Sequence, residues 1–190
     1  MILSAVLGEP RLVASASAEE RADAFALPDF SLDEPRKAHL AALPALSNAL
    51  DRAALDGRAV LVSFFASWCP PCQPEFQALV ELDAKYRGEG LTIVSINVFE
   101  EWAGGIDGLR LKQFLDRHAP QFPVLRGSDA TKGLFGGVTR IPTVILFERS
   151  GRPMLRFVHM NGAEKTHLTE AELEAAIRTA LRLDQSALPE

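Results

Sequence analysis

Apolar residues recur along this chain in two rhythms, and the switches between them mark the elements. Val60 to Ala66 is almost continuously apolar, the pattern of a strand covered on both faces, and Leu91 to Val98 repeats it. Between them Cys72, Glu75, Leu79, Leu82 and Tyr86 recur at steps of three and four, which predicts a helix over 70–87 with these residues on one face. Strand, helix, strand in that order implies a right-handed crossover, so both strands end at one edge of the sheet. Open α/β sheets carry their sites at that edge. Further on, Leu109 to His118 reads as a helix with Leu111, Phe114, Leu115 and His118 on one side. Phe122 to Leu125 reads as a short strand entered through Pro123, and Asp129 to Phe135 as a short helix broken by Gly136-Gly137. Val144–Phe147 and Met154–Val158 form a hairpin pattern across Ser150-Gly151. Thr169 to Glu172 spells a capping box, after which Leu173, Ile177 and Leu181 give a last helix its buried stripe.

The N-terminal part is less regular. Phe25 to Leu32 alternates apolar and polar residues, and Lys37 to Asp56 is rich in Ala and Leu. There Leu46, Ala49, Leu50, Ala53 and Ala54 have helical spacing before Gly57, and Pro44 places the expected helix start near itself. The first residues, MILSAVLG, are apolar only as far as Glu9 and lack a basic flank, yet Ala14-Ser15-Ala16 and Ala16-Ser17-Ala18 look like signal-peptide cleavage sites. Two readings stand: a signal-peptide remnant, or a disordered cytosolic tail. The expected organisation is therefore a tail over 1–23 and a single compact domain over 24–185, since 190 residues at 47% apolar supply one real core. A net charge of −5, with acidic and basic residues interleaved, offers neither a cationic stripe for nucleic acid nor a polybasic membrane patch. No nucleic-acid partner is expected.

Chemistry concentrates in one place. Cys69 and Cys72 are the only cysteines, and they follow a strand and open a helix. A sulfur at a helix start is favoured as thiolate by unpaired N–H groups and the macrodipole. Cys69 is thus the expected attacking sulfur, exposed and ionised near neutrality, and Cys72, one turn inside the helix, the resolving one. Two other readings are half of a zinc site, for which His39, His118, His159 and His167 are too scattered, and a fixed bridge, which so short a loop rewards little. Glu75 either lies desolvated on the apolar face, its pKa raised for proton exchange with Cys72, or sits solvated in the first turn. Pro74 is expected to shift a helix kink toward the motif. In the loop Phe99 to Gly108, Trp102 with Glu100 and Glu101 forms either a partner-selecting lip or a cover folded onto the core. His118 reads as a helix-dipole partner, and His159 and His167 as surface residues. Pro70 and Pro71 have no N–H to offer the Cys69 sulfur, leaving that of Cys72 as the nearest, which implies a modestly lowered thiol pKa and a reducing role.

Trp68-Cys69-Pro70-Pro71-Cys72 with Glu75, and Arg140-Ile141-Pro142-Thr143 later, resemble the TlpA/ResA-like branch of the thioredoxin superfamily from about Phe25 to Gly162. Ser63 stands where thioredoxin keeps a buried Asp. The resemblance implies an α/β thioredoxin-like fold, a central mixed β-sheet flanked by helices, to which the N-terminal helical segment is an addition. It also implies a thiol–disulfide oxidoreductase with Cys69 and Cys72 as its redox-active disulfide, acting on protein thiols and disulfides without cofactor or metal. Trp68, Pro70, Pro71, Ile141 and Pro142 would then face the substrate, Pro142 through a cis bond; an ordinary trans proline at a strand start is the alternative. A membrane or soluble reductase would supply electrons, in a periplasmic or other extracytoplasmic setting, the cytoplasm being the alternative, for redox homeostasis or reduction of the cytochrome c maturation type. The competing function is a binding module whose disulfide is only structural.

Overall fold

The computed structural model describes residues 23–103 and 108–183. The expected tail, apart from Asp23, and the glycine- and Asp107-containing part of the loop lie outside those residues. Strand β1 (Ala45–Ser47), β2 (Ala59–Phe65), β3 (Leu91–Asn97), β4 (Val124–Arg126), β5 (Thr143–Phe147) and β6 (Pro153–Val158) make one mixed sheet in the order β1-β4-β3-β2-β5-β6. At its centre β2 pairs parallel with β3, from Ala59 opposite Leu91 to Phe65 opposite Asn97, and antiparallel with β5, where Phe64 lies opposite Thr143. Five α-helices lie among the described residues between 34 and 181: α1 (Glu34–Ala42), α2 (Cys72–Tyr86), α3 (Leu109–His118), α4 (Asp129–Leu134) and α5 (Glu170–Leu181).

The unbroken apolar run of β2 has a direct cause in the layers. Phe65 packs its ring 4.9 Å from Phe76 of α2 and 5.2 Å from Phe114 of α3. Its neighbour Phe64 points the other way, 5.6 Å from Phe135, which meets Phe30 of the N-terminal segment at 6.2 Å. Each such ring, fully buried, contributes about 2–3 kcal/mol, so a polar residue on either face of β2 is costly. The last helix behaves as its stripe predicts: Thr169 caps it through Glu172, and Leu173, Ile177 and Leu181 are buried.

One expectation fails. The N-terminal helix lies before Pro44, not after it: Asp33 caps α1 by accepting from the Arg36 N–H, a proline sits in the first turn, and the chain turns extended at Leu43. A residue preceding proline is pushed out of the α region, so Pro44 ends the helix that it was expected to start. The Ala/Leu spacing beyond it resolves instead into β1, paired antiparallel with β4, and a 3-10 turn at Arg52–Leu55. The N-terminal segment is stitched to the β5–β6 turn by the Leu32 N–H donating to Gly151 C=O at 2.8 Å. Gly151 is needed there, since its φ is 84° and a Cβ would stand 3.0 Å from the Leu32 carbonyl oxygen.

Candidate active site

The carboxyl ends of β2, β3 and β4 share one edge, and the cysteines leave from the end of β2. The Cys69 N–H donates to Ala66 C=O, Pro71 enters the helical region with φ −70° and ψ −17°, and Cys72 is the first residue of α2. Thus Cys72 opens the helix, where one turn of penetration was expected; the two prolines occupy the turn instead. The sulfurs are bonded at 2.10 Å, with Cα atoms 5.3 Å apart. Cys69 is 3% exposed and Cys72 1%, so in the disulfide form the expected exposure of the first sulfur is corrected. The Cys72 N–H donates to Cys69 C=O at 3.2 Å and the Gln73 N–H to Pro70 C=O at 3.2 Å, so the first two N–H groups of α2 are committed to backbone.

Pro74 does not break α2, which runs unbroken to Tyr86. It lies in the first turn, whose N–H groups have no partner within the helix to lose. Glu75 therefore keeps its place on the face of Cys72, Leu79, Leu82 and Tyr86, all of them buried. Its carboxyl is 1% exposed, and burial pushes its pKa up to about 8, against the opposing pull of the Leu168 N–H, 3.3 Å from Oε2, and of the Lys165 charge. Of the two sequence readings of Glu75, the desolvated one describes the molecule.

On the second strand's side, the Trp68 indole N–H donates to Phe99 C=O at 2.7 Å. Trp102 is 64% exposed, its ring 4.4 Å from that of Phe99 and 6.3 Å from that of Trp68, so it stands beside the motif with one side against a core residue and the rest open. Glu100, expected in that lip, turns inward. Its carboxylate accepts from the Ser67 N–H at 3.0 Å, from the Ser67 hydroxyl and from Asn97 Nδ2 at 2.7 Å, tying the motif to the end of β3. Sequence reading missed this tie, because no periodicity links residues 33 apart; the shared strand edge was the available signal.

From the other side, Pro142 immediately precedes β5, the antiparallel neighbour of β2, and the Ile141–Pro142 bond is cis. The Pro142 C=O accepts from the His159 N–H at 2.9 Å. His159 was expected on the surface; it is half-buried, with Nδ1 buried and without a hydrogen-bond partner among the described residues, and burial together with the Arg140 charge lowers its pKa. His118, expected as a cation at a helix end, is instead held below its usual pKa by burial and by Arg117. Its ring nitrogens lie 3.1 Å from Gln77 Oε1 and 3.4 Å from Gln73 Oε1, and Gln73 Nε2 donates to Ser67 C=O, so it buttresses the motif from α3.

A family model described as Redoxin matches residues 22–177. The chain belongs to the redoxin family. This redoxin is 27% identical over 116 residues to the thiol-disulfide oxidoreductase ResA of Halalkalibacterium halodurans, a match covering 61% of each chain. It thus spans about three fifths of the length of that curated relative. Among solved structures it is similar to a thiol:disulfide interchange protein of the thioredoxin family from Chlorobium tepidum, with 26% identity, 73% of this chain and 94% of that one covered, and a TM-score of 0.58. A secreted Mycobacterium tuberculosis disulfide oxidoreductase shares the fold at 20% identity, 72% and 93% coverage and a TM-score of 0.57. The thioredoxin-like fold expected of the redoxin is the fold it has, with the N-terminal helix displaced as described. Among its described residues no helix is long and apolar enough to cross a membrane.

Proposed function

We propose that this redoxin is a thiol–disulfide oxidoreductase that reduces protein disulfides outside the cytoplasm. The observation that carries the reading is a closed Cys69–Cys72 pair at the carboxyl end of the central strand with a buried, proton-bearing carboxyl at Glu75 in the same helical turn. In the reduced protein the Cys69 thiolate attacks a substrate disulfide, breaking its S–S bond and releasing one substrate thiolate as a mixed disulfide forms. Cys72 then loses its proton to the ionised Glu75 carboxylate and attacks the Cys69 sulfur; the second substrate sulfur leaves as thiolate, the substrate has gained two electrons, and the protein holds its disulfide with the proton on Glu75. When a reductase reopens that disulfide, Cys72 departs as thiolate and takes the proton back. A carboxyl titrating near 8 is suited to both directions at neutral pH. The substrate backbone is received by Ile141 and Pro142 on one side and by Trp68, Pro70, Pro71 and Trp102 on the other. Reduction of the cytochrome c maturation type fits this chemistry.

The low exposure of Cys69 favours one competing reading, a binding module with a structural disulfide. It predicts that Cys69→Ser keeps function. The reducing direction rests on the missing donors: Pro70 and Pro71 have no N–H, and that of Cys72 is taken by Cys69 C=O. Titrating thiolate absorbance of the reduced protein against pH is expected to show a Cys69 pKa only modestly below that of a free thiol, and a value below about 5 overturns the reducing role.

A further inference from the structure

We propose that Trp102 and Glu101 form a recognition spot for a cationic side chain, arginine above all, carried by the protein substrate two residues from the cysteine that Cys69 attacks. The inference rests on the oxidoreductase reading and names the substrate feature that its lip selects. Trp102 is unusual in being both open and fixed. It is 64% exposed, yet its ring is held by stacking on Phe99 and Trp68, and Trp68 is itself fastened by its indole hydrogen bond to Phe99 C=O. An indole face is the strongest aromatic partner for a cation, and a planar guanidinium stacks on it as an ammonium does not.

This stack already takes one cation. Lys132 Nζ lies 4.3 Å from the centre of the Phe99 ring, its charge answered by Asp129 at 2.6 Å. The nearby carboxylates are not equivalent. Glu100 is committed to Ser67 and Asn97, whereas Glu101 is exposed and joins no ion pair among the described residues. Around the cleft beside Phe99, Glu100, Glu101 and Asp129 face Arg126 and Lys132, a balance that leaves one negative charge, and Glu101 adjoins Trp102 in the chain. Position follows from the chain: Trp68 adjoins Cys69 and Trp102 stacks on Trp68. An extended substrate laid over Cys69 returns a side chain to the same face two residues on, about 6–7 Å away.

The test uses the reduced protein and mercaptoethanol mixed disulfides of short peptides whose residue two places from the cysteine is Arg, Ala, Leu or Glu, with dithiothreitol exchange measured alongside. The arginine peptide is expected to react about fivefold faster than the alanine one, and the glutamate peptide more slowly, with the preference shrinking as salt rises. In Trp102→Ala the Arg-to-Ala ratio is expected to fall to about 1, while Trp102→Phe keeps part of it and Glu101→Gln loses most of its salt dependence. A wild-type ratio within twofold of unity, a faster leucine peptide, or a ratio that survives Trp102→Ala overturns the proposal while leaving the enzyme reading intact. Absence of exchange with dithiothreitol as well overturns both.

Discussion

Cys69→Ser is expected to lower the rate of exchange with a protein disulfide by at least about 10³-fold, because the one remaining thiol, Cys72, is 1% exposed. Cys72→Ser is expected to behave differently. It keeps the attacking sulfur, loses the resolving one and halts as a mixed disulfide, visible as a mass increase equal to the substrate and reversed by dithiothreitol. Both variants should remain folded. Opening so short a cross-link removes only about 2 kcal/mol of unfolded-state constraint, against a core that includes Phe64, Phe65, Phe76 and Phe122 in full burial. A lost rate with an intact fold therefore reports chemistry. If Cys69→Ser keeps the protein's function at the wild-type level while its disulfide exchange is lost, the binding-module reading replaces this one.

Glu75→Gln is expected to make the oxidised protein more stable at alkaline pH and slower to exchange. The folded carboxyl holds its proton up to about pH 8, whereas the unfolded chain releases it near 4.5. Between those limits the native state binds the extra proton, so stability is full below about 4.5, falls by about 1.4 kcal/mol for each unit of rising pH, and levels off above 8. The accumulated penalty is on the order of 5 kcal/mol. Other groups titrate in the same window, the half-buried His118 and His159 with the opposite sign, but they are common to both proteins. The difference between wild type and Glu75→Gln isolates the carboxyl, and urea unfolding of the disulfide forms from pH 4.5 to 8.5 measures it. The amide keeps an acceptor for the Leu168 N–H yet cannot carry the Cys72 proton, so the resolving step is expected to slow by about 10²-fold at neutral pH. A difference that does not grow with pH, or an unchanged exchange rate, removes Glu75 from the mechanism.

What the sequence disclosed and what it concealed divide along physical lines. Periodicity carried the central sheet, because β2 and β3 are covered on both faces and α2 buries one stripe; each leaves its rhythm in the chain. The Cys69–Cys72 spacing and the position of Glu75 were legible for the same reason, since both are local. The Ala/Leu segment around Pro44 misled because short apolar runs suit helix or strand equally, and pairing with β4 decided the matter for Ala45–Ser47. Glu100 was read with Glu101 and Trp102 as one acidic loop, yet three donors from Ser67 and Asn97 turn it inward. Only the meeting of two strand ends reveals that. His118 and His159 were misjudged likewise, as their burial depends on Phe76, Phe114 and the β5–β6 edge, which are distant along the chain.

The most direct test holds the purified protein at equilibrium in dithiothreitol or glutathione buffers of graded potential and counts free thiols by alkylation and mass. One reversible two-electron transition between two thiols and none is expected, with a midpoint nearer the roughly −270 mV of thioredoxin than the roughly −120 mV of DsbA. Sulfurs that do not interconvert across that range, or that prove to hold a tightly bound metal, contradict the account.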